Sequence, residues 1–135
     1  MKKLVIGLLA LFILAACTGG TSTSINGPWE LVSHGSPSSQ TPAAPDVETS
    51  IEFGRDGTFS GNVGCNGFGG DYEVDGETIA FGSVVSTLMF CEGPVGEQET
   101  TTLAVFAESA TFVLDGGILT ITSADSNSVI VLARK

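Results

Sequence analysis

The sequence is poor in positive charge: 5 Lys and Arg stand against 15 Asp and Glu in 135 residues, a formal net charge of −10. A surface of that sign repels phosphate backbones and anionic headgroups, so the chain is not expected to bind nucleic acid. Histidine is nearly absent too. His34 stands alone, with three cysteines, too few ligands for a structural zinc site. Any Ser-His-Asp unit would rest entirely on His34. No apolar run exceeds about 13 residues, short of the roughly 20 that a membrane-spanning helix needs.

The longest such run, Leu4 to Ala16, follows Lys2 and Lys3 and ends in Leu14-Ala15-Ala16-Cys17. Positive start, short apolar stretch and small residues before a cysteine are the parts of a secretory signal, and the end resembles the bacterial lipobox. The expectation is cleavage after residue 16, lipidation of Cys17 and attachment to a membrane through several acyl chains on that residue. Removal of residues 1–16 leaves three basic residues (Arg55, Arg134, Lys135) against fifteen acidic ones, a net charge of −12. Residues 17–27, opening Cys17-Thr18-Gly19-Gly20-Thr21-Ser22, read as a flexible tether of roughly 17 Å reach. Thr18 rather than Asp after the lipidated cysteine suits the outer membrane if the host is Gram-negative. The localisation expected is therefore the cell envelope, facing the periplasm or exterior.

Residues 28–135 read as one mainly β domain. Trp29-Glu30-Leu31-Val32 begins it with alternating apolar residues. A polar, proline-containing stretch from His34 to Glu48 reads as a mobile loop. Three hairpins are marked by Asp-Gly: Ile51–Phe53 with Thr58–Ser60, Asp71–Val74 with Thr78–Phe81, and Thr111–Leu114 with Ile118–Ile121. Asp-Gly suits type I′ turns, whose two central residues need positive φ. Val129–Ala133 supplies a last strand. Between the second and third hairpins, Leu103, Phe106 and Ala107 fall at helical spacing, which predicts one helix over 97–109. Glu97 and Glu99 would then occupy its first turn, where negative charge suits the helix dipole. The architecture predicted is an antiparallel sheet curled toward a barrel with one inserted helix. Its interior could be filled by Phe53, Phe59, Phe81, Phe90 and Phe112, or could hold one small apolar molecule.

With Cys17 committed to lipid, Cys65 and Cys91 form an even pair in an exported chain. A disulfide between them would stabilise by about 3–4 kcal/mol. The rival reading makes one a catalytic thiol, with His34 as its base. Asp71-x-Glu73-x-Asp75-Gly76-Glu77 has the start of a calcium loop. Its twelfth position is Gly82 instead of a bidentate Glu, and period-two carboxylates describe a solvated strand equally well. No catalytic residue, metal or cofactor is assigned.

Gly61-Asn62-Val63-Gly64-Cys65-Asn66-Gly67-Phe68-Gly69-Gly70-Asp71-Tyr72 resembles the G-x-x-G-C-N-x-(F/Y)-x-G-x-Y core of the META domain family. Thr87-Leu88-Met89-Phe90-Cys91 resembles that family's T-x-M-x-C signature, and Trp29-Glu30-Leu31 its opening. The residues that carry the resemblance are Gly64, Cys65, Asn66, Gly70, Tyr72, Thr87, Met89 and Cys91. Glu97, Gln98 and Glu99 match the Glu-containing helix that follows in the family. Tandem Gly69-Gly70 departs from the pattern. The bacterial branch is that of HslJ-like lipoproteins, in keeping with Cys17. The resemblance implies a lipocalin-like barrel with a helix, and a link to heat shock, envelope stress or antibiotic tolerance. It implies no catalytic mechanism. The function expected is a non-enzymatic, monomeric envelope lipoprotein that acts by contact with another envelope protein. A small-ligand carrier and an enzyme are the alternatives.

Overall fold

The computed structural model describes residues 24–135; the signal segment, Cys17 and the tether up to residue 23 lie outside the described residues. Ten strands and one helix follow in order. The strands are β1 (Gly27–Ser36), β2 (Ser39–Pro42), β3 (Ser50–Phe53), β4 (Thr58–Asn62), β5 (Gly67–Asp75), β6 (Thr78–Phe81), β7 (Val85–Ser86), β8 (Ser109–Asp115), β9 (Ile118–Ser123) and β10 (Val129–Arg134); α1 (Gly93–Val105) lies between β7 and β8. All pairings are antiparallel. Strands β1, β3, β4, β5, β6, β8, β9 and β10 form a ring that closes where β10 pairs with β1, from Trp29 opposite Arg134 to Gly35 opposite Val129. Closure leaves no open edge in the ring. The short strands β2 and β7 lie off it, on β1 and β5.

Each Asp-Gly signal produces a hairpin, with a turn chemistry different from the one expected. In the second and third hairpins the turn residues are Gly76-Glu77 and Gly116-Gly117, flanked by the pairs Asp75–Thr78 and Asp115–Ile118. Only the first turn residue has positive φ, +60° at Gly76 and +58° at Gly116, the pattern of type II′ rather than I′. The aspartate closes the strand pair in both hairpins and needs no unusual backbone.

The stretch from His34 to Glu48 is a correction. It contains the end of β1 and all of β2, joined through Pro37 and Ser38. Every residue of β2 is exposed, so the backbone ladder stabilises it and no alternation of apolar residues marks it. A register shift between Leu31 and Ser33, past the exposed Val32, changes the phase of the strand and turns His34 inward. His34 is therefore a buried strand residue, opposite Ile130 and Thr41. The barrel also starts earlier than Pro28. Ile25 is buried in the core and accepts a 2.7 Å hydrogen bond from Trp29 Nε1, so the part of the expected tether from Ile25 onward belongs to the fold.

The core runs along the barrel axis. Trp29, Ile51, Phe53, Ile79, Leu119, Ile121, Ile130 and Leu132 are buried from the strands. Phe106, the C-cap of α1, enters from the helix and meets the rings of Phe53, Phe59, Phe68 and Phe81 at centroid distances of 6.5, 5.1, 5.7 and 4.8 Å. Of the five phenylalanines expected inside, Phe53 and Phe59 are buried, while Phe81 and Phe112 are half-buried against the core. Phe90 is not inside at all.

The helix spans Gly93–Val105 rather than 97–109. Pro94 sits in its first turn, which needs no amide from that residue. Glu97 and Glu99 consequently lie beyond the first turn, and the expected dipole contact is not made. The buried face is Gln98, Glu99, Thr102 and Val105, while Ala107 is exposed. Thr100, Thr101 and Thr102 each donate a hydroxyl hydrogen bond to the carbonyl four residues back, at 2.8, 3.1 and 2.7 Å. Such back-bonding gives β-branched residues a place on a helix that packing holds together.

Candidate functional site: a clamped apolar loop

The two family-like motifs meet at one end of the barrel. The turn between β4 and β5, residues 63–66, faces the segment that leads from β7 to α1. The Cys65–Cys91 disulfide joins them, with a Cα–Cα distance of 6.2 Å. Both thiols are consumed in the bridge, so neither is a free nucleophile in this structure.

Asn66 carries the rest of the junction. Its Oδ1 accepts from Thr87 Oγ1 at 2.8 Å and from the Met89 amide at 2.7 Å. Its Nδ2 donates to Met89 O at 3.0 Å and to Glu99 Oε2 at 2.9 Å. Its backbone amide donates to Glu99 Oε1 at 2.8 Å. One buried amide side chain thus pins the loop by its backbone and holds the helix by a carboxylate. Asn66 is not in the positive-φ region, and the backbone partner of its side chain is Met89, 23 positions away.

Glu99 is buried, and the Asn66 amides supply its hydrogen bonds. Burying a carboxylate is tolerated when donors of this kind surround it. Gln98, fully buried beside it, donates to Val63 O at 2.5 Å and accepts from the Ala44 amide at 2.8 Å. Gly64, with φ +106°, lies between Gln98 and Val47, where any Cβ would collide with Val47 Cγ1. Sequence reasoning missed the burial of Gln98 and Glu99. The signal was present in the family-like helix motif, but polar residues are not read as a core face.

The clamp presents an apolar loop to solvent. Val85, Leu88, Met89 and Phe90 are 74, 94, 60 and 88% exposed. Met89 is bonded through its backbone alone, which leaves its side chain pointing outward. Phe90 shares an open cleft of about 560 Å³ with Glu92 and Glu97, both exposed. A larger open cleft, about 690 Å³, lies on the outer face of β3, β4 and β5, beside Val85.

The remaining motif residues lie elsewhere. Gly70 is on β5 opposite Phe59. Tyr72 is near the opposite end of the barrel, where its hydroxyl donates to Gly54 O at 2.6 Å and accepts from Asn26 Nδ2 at 2.6 Å. Burial, more than any other cause, holds its hydroxyl above the ordinary tyrosine range. His34, the only base considered for a thiol, is held below the ordinary histidine range by burial, with Glu97 opposing. Asp71, Glu73 and Asp75 are exposed along β5, and Glu77 is exposed in the turn that follows.

A sequence model of the META domain matches residues 22–135. The comparison with curated proteins gives no match. Solved structures share the fold. A protein from Burkholderia xenovorans, determined by NMR, superposes with a TM-score of 0.63 at 17% identity, covering 80% of this chain and 81% of its own. A second NMR structure gives 0.60 at 20% identity, with 77% and 86% covered. A DUF4847 family protein from Bacteroides vulgatus gives 0.56 at 17% identity, with 82% and 93% covered. At these identities the likeness concerns the barrel and its helix.

Proposed function

The chain belongs to the META domain family, and from that membership we propose that it is a non-enzymatic lipoprotein of the cell envelope, anchored through Cys17 and acting by protein contact in envelope stress or antibiotic tolerance. The observation that carries the reading is the Leu88–Phe90 loop. Exposed apolar side chains in sequence are costly to keep in water, and contiguous ones mark contact surfaces. Here a disulfide and a buried asparagine hold them out, where a slack loop could fold them back onto the barrel. The Gly-Cys-Asn turn then supports the contact surface instead of forming it.

A second reading, a carrier of small apolar molecules, draws on the open cleft beside Val85. The barrel axis is filled by Trp29 and the ring cluster around Phe106, so such a ligand would have to lie outside. In-cell crosslinking of the tagged, full-length chain separates the readings, with Cys17→Ala as control and mass spectrometry as readout. One envelope protein enriched only when Cys17 is intact supports protein contact. No enriched protein rejects it and turns attention to small molecules extracted with the chain.

A further inference from the structure

The ends of the barrel differ in shape and in where the lysine and arginine residues of the described chain begin. Ser24–Asn26, the described segment nearest the tether, is held at the end formed by the β3–β4 turn. Asn26 Nδ2 donates to Gly54 O at 3.3 Å, and the Arg134 guanidinium donates to Asn26 O and Ser24 O at 2.8 Å each. Arg55 lies in that turn, and the backbone places Arg134 and Lys135 beside Trp29 and Pro28 at this end. They are the basic residues of the described chain. Lys135 reaches along the barrel to within 3.9 Å of the exposed Glu48.

The register carries β3, β4 and β5 from this end to the other, where the 63–66 turn, the disulfide, α1 and the apolar loop lie. Leu88 and Phe90 are thus at the far end from the tether, flanked by Glu92 and Glu97, and no basic residue of the described chain starts there. A membrane holding the lipid on Cys17 would meet the end where Arg55 and Arg134 lie among Asp56, Asp75, Glu77 and Asp115. It is therefore the position of the tether that faces the apolar loop away from the bilayer. Its headgroups, where anionic, would repel the end with the apolar loop. A second copy docking loop to loop would oppose the same carboxylates.

From this placement we infer that the Leu88–Phe90 loop, with Glu92 and Glu97, is the docking surface for an envelope protein that presents an apolar pocket rimmed by lysine or arginine. The inference rests on the protein-contact reading above and names its site and the partner's chemistry. Apolar side chains supply the contact, and the acidic flank selects a basic rim.

The test uses the full-length lipidated chain in cells, with the photo-crosslinker benzoylphenylalanine in place of Leu88, Phe90 or Val113; Val113 is an exposed apolar position on β8. Retained thermal unfolding of each purified variant confirms that it is folded. The expected result is one protein adduct shared by positions 88 and 90, about tenfold stronger than from 113, and weakened about tenfold by Glu92→Lys with Glu97→Lys. A lipid adduct, or one to a second copy of this chain, overturns the inference. So does a protein adduct that ignores the charge reversal. An adduct from 113 with none from 88 or 90 overturns the inference and leaves the protein-contact reading standing. No adduct from any position overturns both.

Discussion

The tether end and the loop end of the barrel are closed by different physics. At the tether end, a cation covers an aromatic ring: the Arg134 guanidinium lies 4.2 Å from the Trp29 ring centre, and its remaining donors hold the incoming chain. At the loop end, a helix, a disulfide and the buried pair Asn66 and Glu99 close the barrel, yet Leu88, Met89 and Phe90 stay in water. The difference teaches that the second end holds more structure than closure requires. A covered barrel mouth needs Phe106 and α1; it does not need an apolar loop held out beside them.

Breaking the comparison begins with Asn66. Asn66→Ala would leave the Glu99 carboxylate with only the backbone amide of residue 66 and would strip the Thr87 hydroxyl and the Met89 amide of their acceptor. The expected loss is about 3 kcal/mol in urea unfolding. Phe90 in this variant should become more accessible to limited proteolysis. A loss below about 1 kcal/mol would mean that water replaces the network at no cost.

Paired Cys65→Ser and Cys91→Ser substitutions come next, with an expected loss of about 3 kcal/mol. Because Asn66 still holds Met89 and Thr87, the loop should keep its place in amide exchange. The bridge and the asparagine would then be shown to act independently.

At the other end, Arg134→Ala removes the cation over Trp29 and the hydrogen bonds to Ser24 and Asn26. Its expected cost is smaller, about 1–2 kcal/mol. Trp29 fluorescence should shift to the red while the loop end is unchanged. A comparable disturbance at both ends would abolish the distinction.

The smallest effect is that of pH. Burial holds the His34 imidazole below its ordinary value of 6.5, so the unfolded chain takes up a proton that the folded one resists. The stability contributed by neutral His34 is present above pH 6.5 and is lost as pH falls from there toward the lower folded value. Unfolding midpoints between pH 7 and 5 should decline, and His34→Gln should decline less. Equal slopes would show that other groups carry the dependence.

Much of this fold was legible because its hairpins announce themselves. Asp-Gly with alternating apolar neighbours located β3 through β6, β8 and β9, the apolar run Val129–Ala133 located β10, and the even pair of cysteines in an exported chain pointed to the disulfide. What escaped notice had a physical cause in each case. Strand β2 buries nothing, so no periodicity marks it. The bulge after Leu31 places His34 inside without an apolar signal. Gly93, Pro94 and Gly96 have low helix propensity and add nothing to the Leu103–Phe106–Ala107 stripe, though a proline is welcome in a first turn. Gln98 and Glu99 belong to a buried polar junction whose partners lie more than thirty residues away, at Val63 and Asn66. Phe90 looked like core because aromatic residues usually are; only the Met89 backbone bonds and the bridge explain why it faces water.

The most direct measurement is a double variant, Leu88→Ser with Phe90→Ser, read for stability and for envelope crosslinking together. Both side chains are exposed, so thermal unfolding should match the unsubstituted chain to within about 0.5 kcal/mol, while the protein adduct is lost. A substantial loss of stability, or an adduct that survives intact, would contradict the view that this end of the barrel is kept for recognition.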